Sequence, residues 1–217
     1  LFGCATLLFD FWVFPSPKQR RWLLIFVVLG EIFAGIAYLR QQIFLNRHGG
    51  ELTAFNGTLV IDHFSLFFHW VFIVTTLLVG LISYRFFEVR DEHHGEYYGM
   101  LLLAQCGMDF LANGTDLVTI FVGLETMAIT FYILVGFLRS DPRSNEAALK
   151  YLLLGGFSSG FLAYGFSLLY GTAGSPRLRD IEQAVATRDP FDPTLFLAIG
   201  AVTVGLMFKI AAAPFHM

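Results

Sequence analysis

Apolar residues fall in long runs at approximately 1–14, 22–39, 60–84, 99–113, 116–138, 146–170 and 194–213, separated by shorter polar stretches. A helix needs about 20 predominantly apolar residues to cross a hydrocarbon core of about 30 Å. A membrane strand would instead alternate apolar and polar positions, and the runs show no such alternation. With no water in the bilayer core, each run must satisfy its own backbone, so each is predicted to be a helix. The first, LFGCATLLFDFWVF, would rise only about 21 Å and reads as a partial span, as does the last. The expected fold is therefore all-α: a polytopic transmembrane helix bundle of about seven spans, forming one domain over residues 1–217.

Short connections make neighbouring spans antiparallel. Loops 15–21, 85–98 and 139–145 then share one face, and 40–59, 113–115 and 171–193 share the other. The first face carries Lys18, Arg20, Arg21, Arg85, Arg90, Arg139 and Arg143, against Arg40, Arg47, Arg177, Arg179 and Arg188 on the second. The excess of positive charge assigns the first face to the cytoplasm. In the longest loop, Leu178, Ile181 and Val185 fall on one helical face, which predicts a surface amphipathic helix at about 176–187. Within 146–170 the stretch GGFSSGFLAYG sets Gly156 and Gly160 four apart, with Ser159 and Ala163 beside them, a spacing that lets helices approach closely.

Composition agrees with the pattern: 56% of the residues are hydrophobic, 14% are charged and 25 are phenylalanine, and the mean hydropathy is +0.64. A net charge of −3 distributed over the loops supplies no basic block, so neither nucleic acid nor a polybasic lipid contact is indicated. The lipid bilayer and other membrane proteins are the expected partners. Cys4 and Cys106 lie far apart in apolar runs and are expected to be small buried hydrophobes. His93 and His94, in RDEHHGE, lack further ligands at metal-binding spacing and read as a solvated loop.

The chemistry is carried by charges inside the spans. An ionised side chain at the bilayer centre costs about 2.5–3.5 kcal/mol on insertion scales, so it normally faces a partner or a wet cavity. Glu125 is near the midplane of its run, too deep for a short carboxylate to reach the interface. Lys209 lies some fifteen residues into its span, and Pro214 follows in FKIAAAPFHM, where it would remove a backbone hydrogen bond and break the helix. Broken helices at this depth mark ion or substrate sites. Lys150 stands one turn after Glu146 and is read either as buried or as extended to the interface. Glu31 is mid-span, structural or functional. Asp109 is expected at the interface, and Asp62 at the positive end of the helix that begins with HFSLFFHW. An amine and a carboxyl both favour their neutral forms when buried, and both favour charge when paired. Joining or separating such a pair loads or releases a proton.

Three stretches, GLETMAITFYILVGF, EAALKYLLLGGFSSGFLAYGFSLLYGTAG and FKIAAAPFHM, closely resemble the subunit N family of bacterial NADH:quinone oxidoreductase, the respiratory complex I. The resemblance covers nearly the whole chain, including the VIDHFSLFF entry to the third span. It implies an antiporter-like fold of about fourteen helices, of which this chain would be the N-terminal portion. It further implies that Glu125 and Lys209 form the charge pair of a proton channel and that Lys150 belongs to its polar axis, with Pro214 and His216 as secondary candidates. The family's eighth- and twelfth-helix lysines are not in this chain, and Asp109 departs from the apolar residue the family carries. Flavin, iron–sulfur clusters and quinone are expected in other subunits and no cofactor in this one. The implied location is the bacterial inner membrane, among other complex I subunits. A cation/proton antiporter subunit and a scaffold without its own ion path are the alternatives.

Overall fold

In a computed structural model of the chain, residues 1–12, 22–90, 95–189 and 191–213 are described. The elements run α1 (Phe2–Trp12), α2 (Trp22–His48), β1 (Leu52–Ala54), β2 (Leu59–Ile61), α3 (His63–Arg90), α4 (Gly95–Asn113), α5 (Leu117–Val135), α6 (Pro142–Ala173), α7 (Leu178–Ala186) and α8 (Pro193–Lys209). Among the described residues, Leu23–His48, His63–Phe87, Leu117–Val135 and Pro142–Ala173 are long and apolar enough to cross a membrane, and α8 is a shorter apolar helix. The all-α transmembrane bundle expected from the hydrophobic pattern is the observed fold.

Polar residues punctuate the helices. Asp116 caps α5 by accepting from the backbone N–H groups of Val118 and Thr119, each at 2.9 Å. Asp141 and Asp192 cap α6 and α8, each followed by a proline suited to the first helical turn. The Arg188 guanidinium donates to Asp192 at 2.7 Å and holds that carboxyl below the usual carboxylate range. Asp62 anchors the start of α3 as predicted: its Oδ1 accepts from the Ser65 N–H at 2.7 Å, and Ser65 Oγ accepts from the Asp62 N–H at 2.9 Å.

Two features escape the hydrophobic pattern. Helix α2 continues through Arg40, Gln41, Gln42 and Arg47, good helix formers despite their polarity, and stops only where Gly49 and Gly50 take φ of 67° and 86°. The loop beyond holds a hairpin, with Leu52 opposite Ile61 and Ala54 opposite Leu59. Strands of three residues are too short to give a periodic signal.

The loops divide as the alternation requires. Thr115 N–H donates to the Thr58 carbonyl at 3.1 Å, Leu178 N–H to the Thr115 carbonyl at 3.0 Å, and Arg177 to the Asn56 carbonyl at 3.1 Å. Hairpin, α4–α5 turn and α7 entry therefore close one end of the bundle. Helix α7 is the amphipathic helix expected there, with Ile181 buried. At the other end Arg139 bonds Glu96 at 3.2 Å.

Packing corrects the reading of the small residues. Gly156 and Gly160 face open space, with nothing within 4 Å of where a Cβ would stand. The close approaches are made elsewhere. A Cβ on Gly107 of α4 would lie 2.6 Å from the Met127 N of α5, and one on Gly123 of α5 would lie 2.8 Å from the Leu111 N of α4. Between α6 and α8, a Cβ on Gly205 would lie 2.4 Å from Leu162 Cγ, and one on Gly165 would lie 2.9 Å from the Val202 N. Spacing alone does not say which glycines face a neighbour, because that depends on how the helix is rotated. The cysteines are also corrected: Cys4 and Cys106 both lie on exposed faces of their helices, since the bundle buries other sides of α1 and α4. His93 and His94 lie outside the described residues.

Gly107→Ala pushes a methyl into the α5 backbone and is expected to cost about 1–3 kcal/mol. Gly156→Ala meets no atom and is expected to be neutral or slightly stabilising through helix propensity. Unfolding of the detergent-solubilised protein, compared between the two variants, measures the difference.

Candidate functional site

Glu125 is the ninth residue of α5, about 12 Å along the axis from the helix start and so near its middle. Its position is set by the Gly107–Gly123 contact, which brings the α4 and α5 backbones together two residues earlier in α5. Lys209 is the last residue of α8. The glycine one turn before it, Gly205, seats α8 on Leu162, and its carbonyl accepts from Ser158 Oγ at 3.2 Å. The neighbour of that serine, Ser159, completes the site.

The three side chains meet closely. Lys209 Nζ lies 3.1 Å from Glu125 Oε1 and donates to it, and Ser159 Oγ donates to the same oxygen at 2.6 Å. Lys209 Nζ also lies 3.3 Å from Ser159 Oγ. The lysine side chain is 10% exposed and the glutamate 21%, so the ion pair is largely withdrawn from solvent. Its attraction is stronger in such surroundings than in water, and so is the penalty for losing either partner. In the sequence Ser159 reads only as a small residue. Its polar role required knowing that the α6 face bearing it looks at both α5 and α8.

Directly after Lys209 the helix terminates. Ala211 takes φ 50°, its N–H donates to the Phe208 carbonyl at 3.1 Å, and the Ala212 N–H donates to the Met207 carbonyl at 2.9 Å. This is a Schellman cap with alanine where glycine is usual. The helix therefore ends at Lys209, five residues before Pro214, with the reversal of the chain made at Ala211. Pro214 and His216 lie outside the described residues.

Lys150 is not brought to this pair. It sits on the opposite side of α6, with its side chain 68% exposed and ion-paired to Glu146. Glu31 and Asp109 are also remote from it, placed among α2, α3 and α4. Asp109 is close to the end of α4 but, contrary to the interfacial reading, turns to accept a hydrogen bond from Tyr38 at 2.9 Å. A phenol on α2 cannot be paired with an acid 71 positions away by spacing alone. The contact exists only because α2 and α4 pack side by side.

Residues 114–217 match the family described as NADH:quinone oxidoreductase/Mrp antiporter, TM. The whole chain is 59% identical to NADH-quinone oxidoreductase subunit N 2 of Solibacter usitatus (strain Ellin6076), covering 44% of that protein. It is 45% identical to NADH-quinone oxidoreductase subunit N 1 of Koribacter versatilis (strain Ellin345) over 99% of the chain and 43% of that protein. The fold matches a chain of respiratory complex I from Thermus thermophilus with bound Aureothin at a TM-score of 0.70, with 29% identity, over 99% of this chain and 43% of that one. A chain of the archaeal membrane-bound sulfane sulfur reductase shares the fold at a TM-score of 0.77 and 21% identity, over 99% of this chain and 44% of that one. The chain thus spans less than half the length of the curated relatives it matches.

Three variants test the pair and its cap. Glu125→Leu alone strands a buried ammonium and is expected to destabilise by about 3–5 kcal/mol, whereas Glu125→Leu with Lys209→Met is expected to recover most of that loss. Ala211→Gly is expected to stabilise by about 1 kcal/mol, because glycine tolerates the left-handed conformation that alanine resists. Thermal unfolding in one detergent reports all three.

Proposed function

Because the chain belongs to the subunit N family of NADH:quinone oxidoreductase, we propose that it forms part of a proton-translocating membrane subunit of respiratory complex I, with Glu125 and Lys209 as proton-carrying groups. The observation that carries the proposal is the Lys209–Glu125 contact at 3.1 Å beneath a helix break. A carboxylate and an ammonium in contact each keep their charge. When they separate in an apolar surround, the ammonium is disposed to release a proton and the carboxylate to take one up. One elementary charge crossing the membrane meets about 2.3 kcal/mol per 100 mV, and each pKa unit is worth about 1.36 kcal/mol, so a change of a few units is sufficient. Ser159, bonded to both groups, holds them in register and offers a hydroxyl through which a proton can pass between them.

In this reading, quinone reduction elsewhere in the assembly drives the separation. Flavin, iron–sulfur clusters and quinone bind other subunits, and this chain works without a cofactor of its own. Its partners are neighbouring complex I membrane subunits and the lipid of the bacterial inner membrane. The catalytic contribution of the chain is proton movement, not redox chemistry. Lys150, exposed on α6, joins the path only through elements beyond this chain.

The test is Lys209→Ala in the full-length subunit within its assembled complex, with NADH:quinone turnover and proton uptake into vesicles scored on one preparation. Intact assembly with both rates lowered by about tenfold or more is the expected result. Rates near those of the unaltered complex would leave the lysine a structural group. Sodium-dependent exchange without NADH oxidation would favour the antiporter alternative.

A further inference from the structure

A second polar group lies among α2, α3 and α4, apart from the Glu125–Lys209 pair. Glu31, 2% exposed, accepts a hydrogen bond from the Gln105 amide at 3.0 Å. One turn further along α4, Asp109 Oδ2 accepts from the Tyr38 hydroxyl at 2.9 Å. The His69 imidazole stacks on the Tyr38 ring with centroids 4.4 Å apart. Its Nε2 stands 3.7 Å from Asp109 Oδ1, beyond hydrogen-bond reach but within ion-pair range. His69 is 1% exposed, and neither ring nitrogen meets a partner in full hydrogen-bond geometry, the Asp109 backbone being the nearest acceptor beside its carboxylate.

A buried imidazole whose nitrogens lack full hydrogen bonds, beside an idle carboxylate oxygen, is an unusual arrangement, because buried polar atoms are nearly always bonded. It is also unlike the Glu125 site, which contains its own cation. Among the described residues neither Glu31 nor Asp109 is paired with a lysine or arginine. Arg40 lies two residues beyond Tyr38, about 200° round α2, and points away from the acids. The titratable groups that face the cluster are Glu31 and Tyr38 from α2, His69 from α3 and Asp109 from α4, with the Cys106 thiol beside them at the exposed face of α4 and Cys4 of α1 beyond it. Glu125 of α5 turns the other way, toward α6 and α8.

The polar groups form a line. Glu31 and Tyr38 are seven residues apart on one face of α2, about 10 Å along the axis, and Gln105 and Asp109 step beside them on α4. Gln42, one further turn along α2, accepts from Trp70 Nε1 at 3.4 Å. The line thus runs from mid-helix toward the end of the bundle closed by the hairpin. No three acid, histidine or cysteine groups among the described residues converge so as to hold a metal ion.

We infer that Asp109 and His69 are a second proton-exchange site, holding one proton between Asp109 Oδ1 and His69 Nε2, with Tyr38 fixing the carboxylate and Glu31–Gln105 continuing the polar line inward. The proton comes from water at the hairpin end and returns there or passes along the line. Uptake forms one N–H or O–H bond and draws the 3.7 Å contact into a charge-assisted hydrogen bond. The site stands independently of any role for Glu125 and Lys209.

The test uses the full-length subunit in its assembled complex and reads the infrared carboxyl and imidazole bands as a function of pH. A carboxyl band that titrates in the unaltered complex is expected to vanish in Asp109→Asn, to shift its midpoint by about one pH unit or more in His69→Gln, and to persist in Glu125→Gln. Should Asp109→Asn fail to assemble, the His69→Gln midpoint shift decides alone. Identical titrations in the unaltered and Asp109→Asn complexes would overturn the site. An unmoved midpoint in His69→Gln would reduce it to an isolated acid, and a midpoint that tracks sodium concentration would replace the proton by a cation.

Discussion

An ammonium group inside an apolar bundle has to be met by a carboxylate, and the meeting of Lys209 with Glu125 dictates how three helices stand together. The partners are 84 residues apart and reach each other at 3.1 Å only because α5, α6 and α8 approach closely around Ser159. Were α8 displaced by the width of one methyl, the contact would lengthen and leave two charges in low dielectric, each penalised by several kcal/mol. The glycine contacts enforce this spacing. Gly205 lets α8 lie on Leu162, and Gly107 and Gly123 let α4 and α5 touch backbone to backbone. The absence of side chains at those positions fixes the distances at which the charged side chains act.

The same logic explains the helix ends. A lysine at the last turn of α8 complements the negative end of the helix dipole, and the cap beyond it puts Ala211 in a conformation that only surrounding structure would hold. Strain beside a buried charge is a feature of sites where the chain must be able to rearrange. At the opposite end of α5, Asp116 binds two backbone N–H groups and the α4–α5 turn is stitched to the hairpin and to the α7 entry. One end of the glutamate helix is therefore firmly held, while the helix bearing its lysine partner ends at the site.

The two polar groups of the bundle differ in how they treat charge. At Glu125 the opposite charge is supplied in place. At Glu31 and Asp109 only amide, phenol and imidazole groups are near, and the imidazole is the one group there able to become a cation. Neutral hydrogen bonds satisfy one oxygen of each acid without balancing a charge, so that cluster responds to protonation where the salt-bridged pair responds to separation.

Hydrophobic run length determined that the chain is a bundle of membrane helices, since crossing a bilayer needs about 20 apolar residues whatever their partners. Local chemistry likewise placed Asp62 at a helix start and α7 on the surface. The depth of Glu125 and Lys209 in their runs singled them out, because a charge there is costly in any fold. Other features belonged to the tertiary structure alone. Gly156 faces open space while its neighbour Gly155 stands against Tyr132 of α5, a difference set by rotation about the helix axis, to which a spacing of four is indifferent. Lys150 and Lys209 both stand within apolar runs, and their surroundings were decided by packing: one is exposed beside Glu146 and the other is buried against Glu125. The Tyr38–His69–Asp109 cluster joins three helices whose sequence separations carry no local signal. Transfer free energy is summed along a segment and can be read from it, whereas a contact between segments exists only once their relative rotation and approach have been set by packing.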